Sequence, residues 1–254
     1  MADFADHFSG HAVHYASARP RYPDALFAWL AQQCMAHDLA WDAGCGNGQA
    51  SVALTRHFAQ VFASDPSSRQ IDQAPAHPRL RYAVEPAETC SLAAASVDLI
   101  SVAQAYHWFD QACFCDEVRR VARPGALLAI YSYERSSVSA DVDVVFERLY
   151  RDVLGPYWPS ERAQVENGYR DVLFPFAELR DVPTWQLQCD WTLPQYLAYL
   201  RSWSACQKYL AANGSDPVTT LAPAFAEAWG DPASVRSVVW PLNVRVGRSN
   251  AKSV

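Results

Sequence analysis

Three glycines, Gly44, Gly46 and Gly48, stand at every second position of "LAWDAGCGNGQAS", directly after a short apolar run that reaches Asp42. Glycine lets backbone approach a ligand without a Cβ, and a helix that follows aims its unpaired N–H groups at the same place. A single glycine would read as a tight strand-to-helix turn; three in alternation read as a ligand loop. The spacing D-x-G-C-G-x-G departs from the G-x-G-x-x-G of dinucleotide folds and lacks the lysine of a phosphate loop. Asp42, a carboxylate at a strand end, suits a ligand with an amine or a cationic centre better than a pyrophosphate. Asp65 follows Asp42 by 23 residues, near the ~20-residue offset at which an acidic side chain accepts both ribose hydroxyls. Two uses stay open for it, because "DPSS" is also a good capping sequence.

The elements that must position these residues alternate. Residues 24–38 have apolar side chains at helical spacing, with Asp24 as N-cap after Pro23. A short strand over 39–43 leads into the glycine turn, and a helix opens near Asn47. "QVFAS" ends at Asp65, and "PSSRQIDQA" starts a helix with Pro66 in its first turn. "LRYAV" and "VDLISVA" read as strands, "QACFCDEVRRVA" as an amphipathic helix ended by "RPG", and "ALLAIYSY" as another apolar strand. Near-continuous apolar strands separated by helices predict a parallel sheet covered on both faces. After Glu134 the chain turns helical and aromatic, with a strand at "TWQLQCDW" and a long final strand in "SVRSVVWPLNVRVG". One domain over 1–254 is expected. Its core lies at about 24–134 plus strands at about 184–190 and 234–247, and its cap insertions at about 136–181 and 194–230.

Composition narrows the function classes. Half of the 254 residues are hydrophobic and 19% are charged, an ordinary globular balance. A net charge of -6 argues against a nucleic-acid surface. The start, "MADFADHFSGHAV", lacks the basic and apolar segments of a signal peptide. No apolar run approaches the ~18 residues of a membrane span, so a cytoplasmic protein is expected. The seven cysteines are scattered, with Cys113 and Cys115 the only close pair. They read as reduced thiols that mostly pack, with no metal site.

"WDAGCGNGQ", Asp65, "EPAETCSLAAASVDLIS" and "VRRVARPGALLAIY" together resemble the class I methyltransferases that use S-adenosylmethionine. "YASARPRYP", "QAYHWFD", "YWPSER", "YLRSWSA" and "WPLNVRVG" extend the resemblance to the trans-aconitate methyltransferase-like (type 11) family. It implies an α/β Rossmann-like fold: a seven-stranded, mostly parallel sheet of order 3-2-1-4-5-7-6, helices on both faces and a helical cap. It also implies that Gly44, Cys45 and Gly46 lie along the methionine and ribose of the cofactor, that Asp65 holds the ribose hydroxyls and that Pro66 flanks the adenine. Ala87 and Glu88 would meet the adenine amine, and Gln104 would lie beside the sulfonium. Tyr15 and Arg19 would form an N-terminal flap on the cofactor's methionine end or on an acidic acceptor.

The resemblance places the acceptor near His107, with Trp158, Arg162 and Trp203 as cap candidates. Methyl transfer from a sulfonium is an in-line displacement, so alignment and exclusion of water are the main tasks. A carboxylate acceptor needs no base; a hydroxyl or amine would lose a proton, which His107 could take. His107 reads equally as a packed loop histidine, and the cap aromatics as core. The favoured function is methylation of a small organic acid on its carboxylate. An O- or N-methyltransferase with His107 as base, a nicotinamide-dependent oxidoreductase and a non-catalytic nucleotide-binding protein stay open. Nothing in the sequence sets the oligomeric state.

Overall fold

The computed structural model describes residues 20–250. Five parallel strands form the centre: β1 (Leu39–Ala43), β2 (Gln60–Asp65), β3 (Leu80–Val84), β4 (Val97–Ala103) and β5 (Ala122–Tyr133). Three further strands complete the sheet: β6 (Ala177–Glu178), β7 (Trp185–Trp191) and β8 (Arg236–Arg248). The order is β3-β2-β1-β4-β5-β8-β6, with β7 also paired to β8. β8 runs antiparallel to β5, from Leu127 opposite Arg248 to Tyr133 opposite Leu242. The expected 3-2-1-4-5-7-6 order is therefore met, with one addition. Two residues, Ala177 and Glu178, make a separate strand against Arg248 and Gly247, while β7 pairs the other half of β8.

Alternation within the strands divides the core between the two faces. On one face Leu99, Leu127, Ala129 and Tyr131 pack with Leu26, Phe27 and Leu30 of helix α1 (Asp24–Gln33) and with Leu54 of α2 (Gln49–Leu54). On the other, Trp41, Phe62, Ile100 and Leu128 meet Phe114 and Val118 of α4 (Gln111–Val121). α3 (Ser68–Ile71) is a single turn between β2 and β3. Burying an aliphatic or aromatic side chain of this size stabilises the fold by about 1.5–3 kcal/mol.

Several boundaries differ from the sequence expectation. α1 stops at Gln33, and Cys34 leaves in extended conformation; its N-cap is Pro23, while Asp24 instead pairs with Arg56 at 2.5 Å. The "RPG" segment belongs to β5. The register shifts between Val97 and Leu99, so Arg123, Pro124, Gly125 and Ala126 bulge out opposite Asp98. A bulge suits Pro124, which has no N–H for the ladder. Arg123 reaches from it to the buried Asp98 at 2.8 Å. Asp98 also accepts the backbone N–H groups of Asp38 and Leu39, fixing where β1 begins.

The remaining helices add to the α1 face, with one exception: Val165 of the short helix Arg162–Glu166 packs on the α4 face. α5 (Ala140–Glu147) runs on into a π-helical segment, Arg148–Val153, followed by a short 3-10 turn and α6 (Arg162–Glu166). α7 (Leu193–Arg201), α8 (Ser204–Asn213) and α9 (Pro217–Trp229) follow β7. Phe146, Leu149, Tyr196, Leu200, Phe225 and Trp229 join them to the same apolar cluster as the sheet. Among the described residues no helix is long and apolar enough to cross a membrane.

Candidate active site

The carboxyl ends of β1, β2 and β4, the loop after β3, and residues from 158–162 and 199–204 line a cavity of about 600 Å³. Its floor is the glycine loop. Gly44, Gly46 and Gly48 have φ of 68°, 53° and 82°, a left-handed backbone that glycine adopts without strain. The space around them differs. A Cβ on Gly44 would stand 2.6 Å from that of Ala105, and one on Gly48 would collide with the Tyr82 hydroxyl. At Gly46 the nearest atom would be Gln70 Oε1 at 3.9 Å. Two of the glycines thus make room for protein side chains, while a Cβ on Gly46 would meet no more than an ordinary contact with Gln70 among the described residues.

While Ser67 stands at the N-cap of α3, Asp65 uses both carboxylate oxygens to hold backbone turns. Its Oδ1 accepts the N–H of Ser67 at 2.9 Å, and its Oδ2 accepts that of Gly46 at 2.9 Å. The carboxylate lines the cavity beside Cys45 and Pro66. Ala87 and Glu88 face it from the loop after β3, and Glu88 is held by the N–H of Asp110 at 2.8 Å. Gln104 lies at the end of β4 with φ of 56°, a strained conformation for a residue other than glycine. Its amide oxygen accepts the N–H of Tyr133 at 3.1 Å, which turns the side chain back toward β5.

Asp42 is placed differently from its expected position at the ligand. It is fully buried and contributes no surface to the cavity. Ser51 donates to its Oδ2 at 2.5 Å, and Oδ1 has no partner among the described residues. Burial pushes its carboxyl up to about 7, against the opposing hydrogen bond from Ser51. Tyr15 and Arg19 lie outside the described residues.

His107 sits in a 3-10 turn, Tyr106–Trp108, just beyond β4. It is 9% exposed and lines the cavity. Its Nδ1 lies 2.7 Å from the Tyr169 hydroxyl. Burial, and then the Arg162 charge, lower its pKa to about 3, so the ring is neutral near neutral pH. Arg162 opens α6 and donates through Nε to the Tyr150 hydroxyl at 2.9 Å. Its guanidinium lies 5.0 Å from the ring centre of Trp158, a cation–π distance. Trp158 packs on Trp203 at 5.5 Å and on Tyr150 at 4.8 Å. The structure therefore brings His107, Trp158, Arg162 and Trp203 to the same cavity as the glycine loop.

Sequence reasoning passed over Tyr22, Tyr133 and Tyr199, which also line the cavity. Each had a usable signal: Tyr22 stands in "ARPRYP", Tyr133 at the carboxyl end of an apolar strand and Tyr199 in "YLRSWSA". Tyr169, the partner of His107, had none.

Strand order, glycine loop and a cavity at the carboxyl ends of parallel strands define a Rossmann-like fold that binds a nucleotide cofactor. A family model described as a methyltransferase domain matches residues 41–130. A candidate methyltransferase of Dictyostelium discoideum is 33% identical over 230 residues, 89% of this chain and 87% of that one. An uncharacterized methyltransferase of Mycobacterium tuberculosis is 34% identical over 176 residues, 65% of this chain and 71% of that one. The solved structure of a candidate type II methyltransferase from Anaeromyxobacter dehalogenans superposes with a TM-score of 0.85 at 47% identity, over 91% of this chain and 97% of that one. The chain belongs to the class I S-adenosylmethionine-dependent methyltransferases. The cavity fits that donor: Gly46 offers a cradle that a Cβ would fill, and Asp65 and Glu88 supply carboxylates at its rim.

Proposed function

We propose that the acceptor is a small organic acid methylated on its carboxylate, held under the cap helices while the donor lies on the glycine loop. Arg162 carries this reading. No carboxylate lies within ion-pairing distance of it among the described residues. Among the described residues only its Nε is engaged by a hydrogen bond, to Tyr150, which leaves both terminal nitrogens for a ligand. A guanidinium on an aromatic wall, with no carboxylate in direct contact among the described residues, is a receptor for one.

Donor-side roles follow the loop. Gly44, Cys45 and Gly46 flank the methionine and ribose, Asp65 accepts from the ribose hydroxyls, Pro66 flanks the adenine, and Ala87 with Glu88 meets its amine. Gln104 faces the reacting centre. Asp42 acts from beneath the loop and does not touch the ligand directly. S-adenosylmethionine supplies a methyl group activated on a sulfonium.

The chain's own work is alignment. Arg162 binds the acceptor's carboxylate, Trp158 and Trp203 wall its body, and the aromatic cap keeps water out. A carboxylate releases no proton on forming an ester, so no base is required. His107 agrees with that: a histidine held to about 3 is a poor proton sink for a hydroxyl or amine acceptor. The segments at about 136–181 and 194–230 act as the cap, and the sheet with α1–α4 as the donor-binding core.

The test has two stages. Calorimetric titration with S-adenosylhomocysteine, with NAD as control, should show binding of the first alone. A panel of small carboxylic acids is then offered with labelled methyl donor, and Arg162→Met should raise KM for the best acid at least tenfold. Turnover confined to alcohols or amines, or an unchanged KM in Arg162→Met, would reject the carboxylate reading.

A further inference from the structure

We propose that Tyr169 is a positioning residue that fixes His107 in the tautomer with its proton on Nε2, making the ring a hydrogen-bond donor to the acceptor's oxygen. The identity of that oxygen rests on the carboxylate reading above; the tautomer does not.

The argument is one of hydrogen-bond accounting. Tyr169 is 1% exposed; its hydroxyl oxygen meets the backbone N–H of His107, and the acceptor in reach of its own hydrogen among the described residues is His107 Nδ1 at 2.7 Å. Burial raises the phenol's pKa above the ordinary tyrosine range, so the oxygen keeps its hydrogen. A buried O–H left without an acceptor costs more than one hydrogen bond returns. The hydrogen therefore points to Nδ1. A neutral imidazole that accepts at one nitrogen donates at the other, so the proton is on Nε2. That atom has no hydrogen-bond partner among the described residues and belongs to a side chain that lines the cavity.

The ring is also held in place. It stacks on Tyr169 with centroids 6.0 Å apart at 26° and packs on Trp108 at 4.7 Å. Tyr169 is itself over-determined: it has φ of 58° after Gly168 at 60°, a corner that persists only where its surroundings impose it. β8 imposes it twice. Arg245 donates to the Tyr169 carbonyl, and Asn243 fills the space where a Cβ on Gly168 would stand.

The charged groups around the ring agree. Arg162 faces it, disfavours its protonation and presents N–H groups to the same space; Glu161 lines the cavity from the same segment. Two donors, Nε2–H and the guanidinium, suit an acceptor oxygen that carries lone pairs and no hydrogen. They discriminate against an ammonium group.

Long-range proton–nitrogen NMR of the intact labelled protein with S-adenosylhomocysteine reads the ring nitrogens directly, and the His107 signal is the one absent from His107→Gln. The expected spectrum is that of the Nε2–H form, constant from pH 5 to 8. In Tyr169→Phe it should become a mixture of both tautomers, with KM for an acid acceptor raised several-fold and kcat changed less. An Nδ1–H spectrum, a ring that titrates in that range, or an unaltered tautomer in Tyr169→Phe overturns the proposal. Should Tyr169→Phe not fold, the wild-type spectrum still decides. Since that spectrum needs no acceptor, failure of the carboxylate reading would appear separately, as acids left unmethylated by a protein with the Nε2–H ring.

Discussion

The backbone N–H of Gly46 donates to Oδ2 of Asp65 across 2.9 Å, so the glycine loop after β1 and the end of β2 form one unit. Asp65→Ala removes this tie together with the charge at the cavity. S-adenosylhomocysteine affinity should fall by about 10- to 150-fold, the equivalent of roughly 1.5–3 kcal/mol for a hydrogen bond to a charged group. Calorimetry checks it; an unchanged affinity would leave Asp65 as a turn residue.

The glycines of the loop should fail in different ways. Gly48→Ala drives a methyl into the Tyr82 hydroxyl and should lower thermal stability, with part of the loss recovered in the double variant with Tyr82→Phe. Gly46→Val pays the same kind of backbone strain, but a Cβ there meets no more than an ordinary contact with Gln70 among the described residues, so the larger effect should be on ligand binding. Chemical denaturation and calorimetry on the same samples separate the two.

Asp42 should make the ligand-free protein lose stability as pH rises. Its carboxyl titrates at about 7 in the fold against ~4 in an unfolded chain, so the folded state keeps the proton longer. The associated stability is complete below about pH 4 and is lost as pH climbs through 7, a difference on the order of a few kcal/mol. Denaturant midpoints at pH 5 to 8 should show this slope, and Asp42→Asn should flatten it.

His107 contributes the opposite slope. Its pKa of about 3 in the fold lies below the ~6.5 of an unfolded histidine. The unfolded chain therefore binds the proton first, and stability falls as pH drops from about 6.5 toward 3. His107→Gln should remove that acid-side loss. In the same pH range the kcat/KM of the wild type on an acid acceptor should show no histidine limb between pH 5 and 8. A limb near 6.5 would restore His107 as a base.

Local patterns were legible where they depended on neighbours in sequence. Short, near-continuous apolar runs located all five central strands, and β-branched residues marked β8. The glycine loop was found in the right place, but the reason for two of its glycines was not: Ala105 and Tyr82 come from distant segments. The same limit explains the bulge at Arg123, which answers a buried Asp98 on the neighbouring strand. It explains β6, too short to carry a pattern, and the π-helical turn at Arg148–Val153. His107 was singled out by its position after β4, but its neutral state follows from burial and Arg162, which only the assembled cap supplies. Tyr169 is a tyrosine after a glycine, with nothing local to mark it.

The position of β8 sets an order of manufacture. The strands that shape the glycine-loop half of the cavity, β1 to β5, are all parallel and all encoded by residue 133. The corner that holds Tyr169 against His107 waits for Asn243 and Arg245, which come more than a hundred residues later. Because domains fold as units, the glycine loop and the opposite wall of the cavity become a finished pair only once β8 is in place. Translation that stops short of β8 would leave β5 and β7 without their shared neighbour and the Tyr169 corner without Asn243 and Arg245.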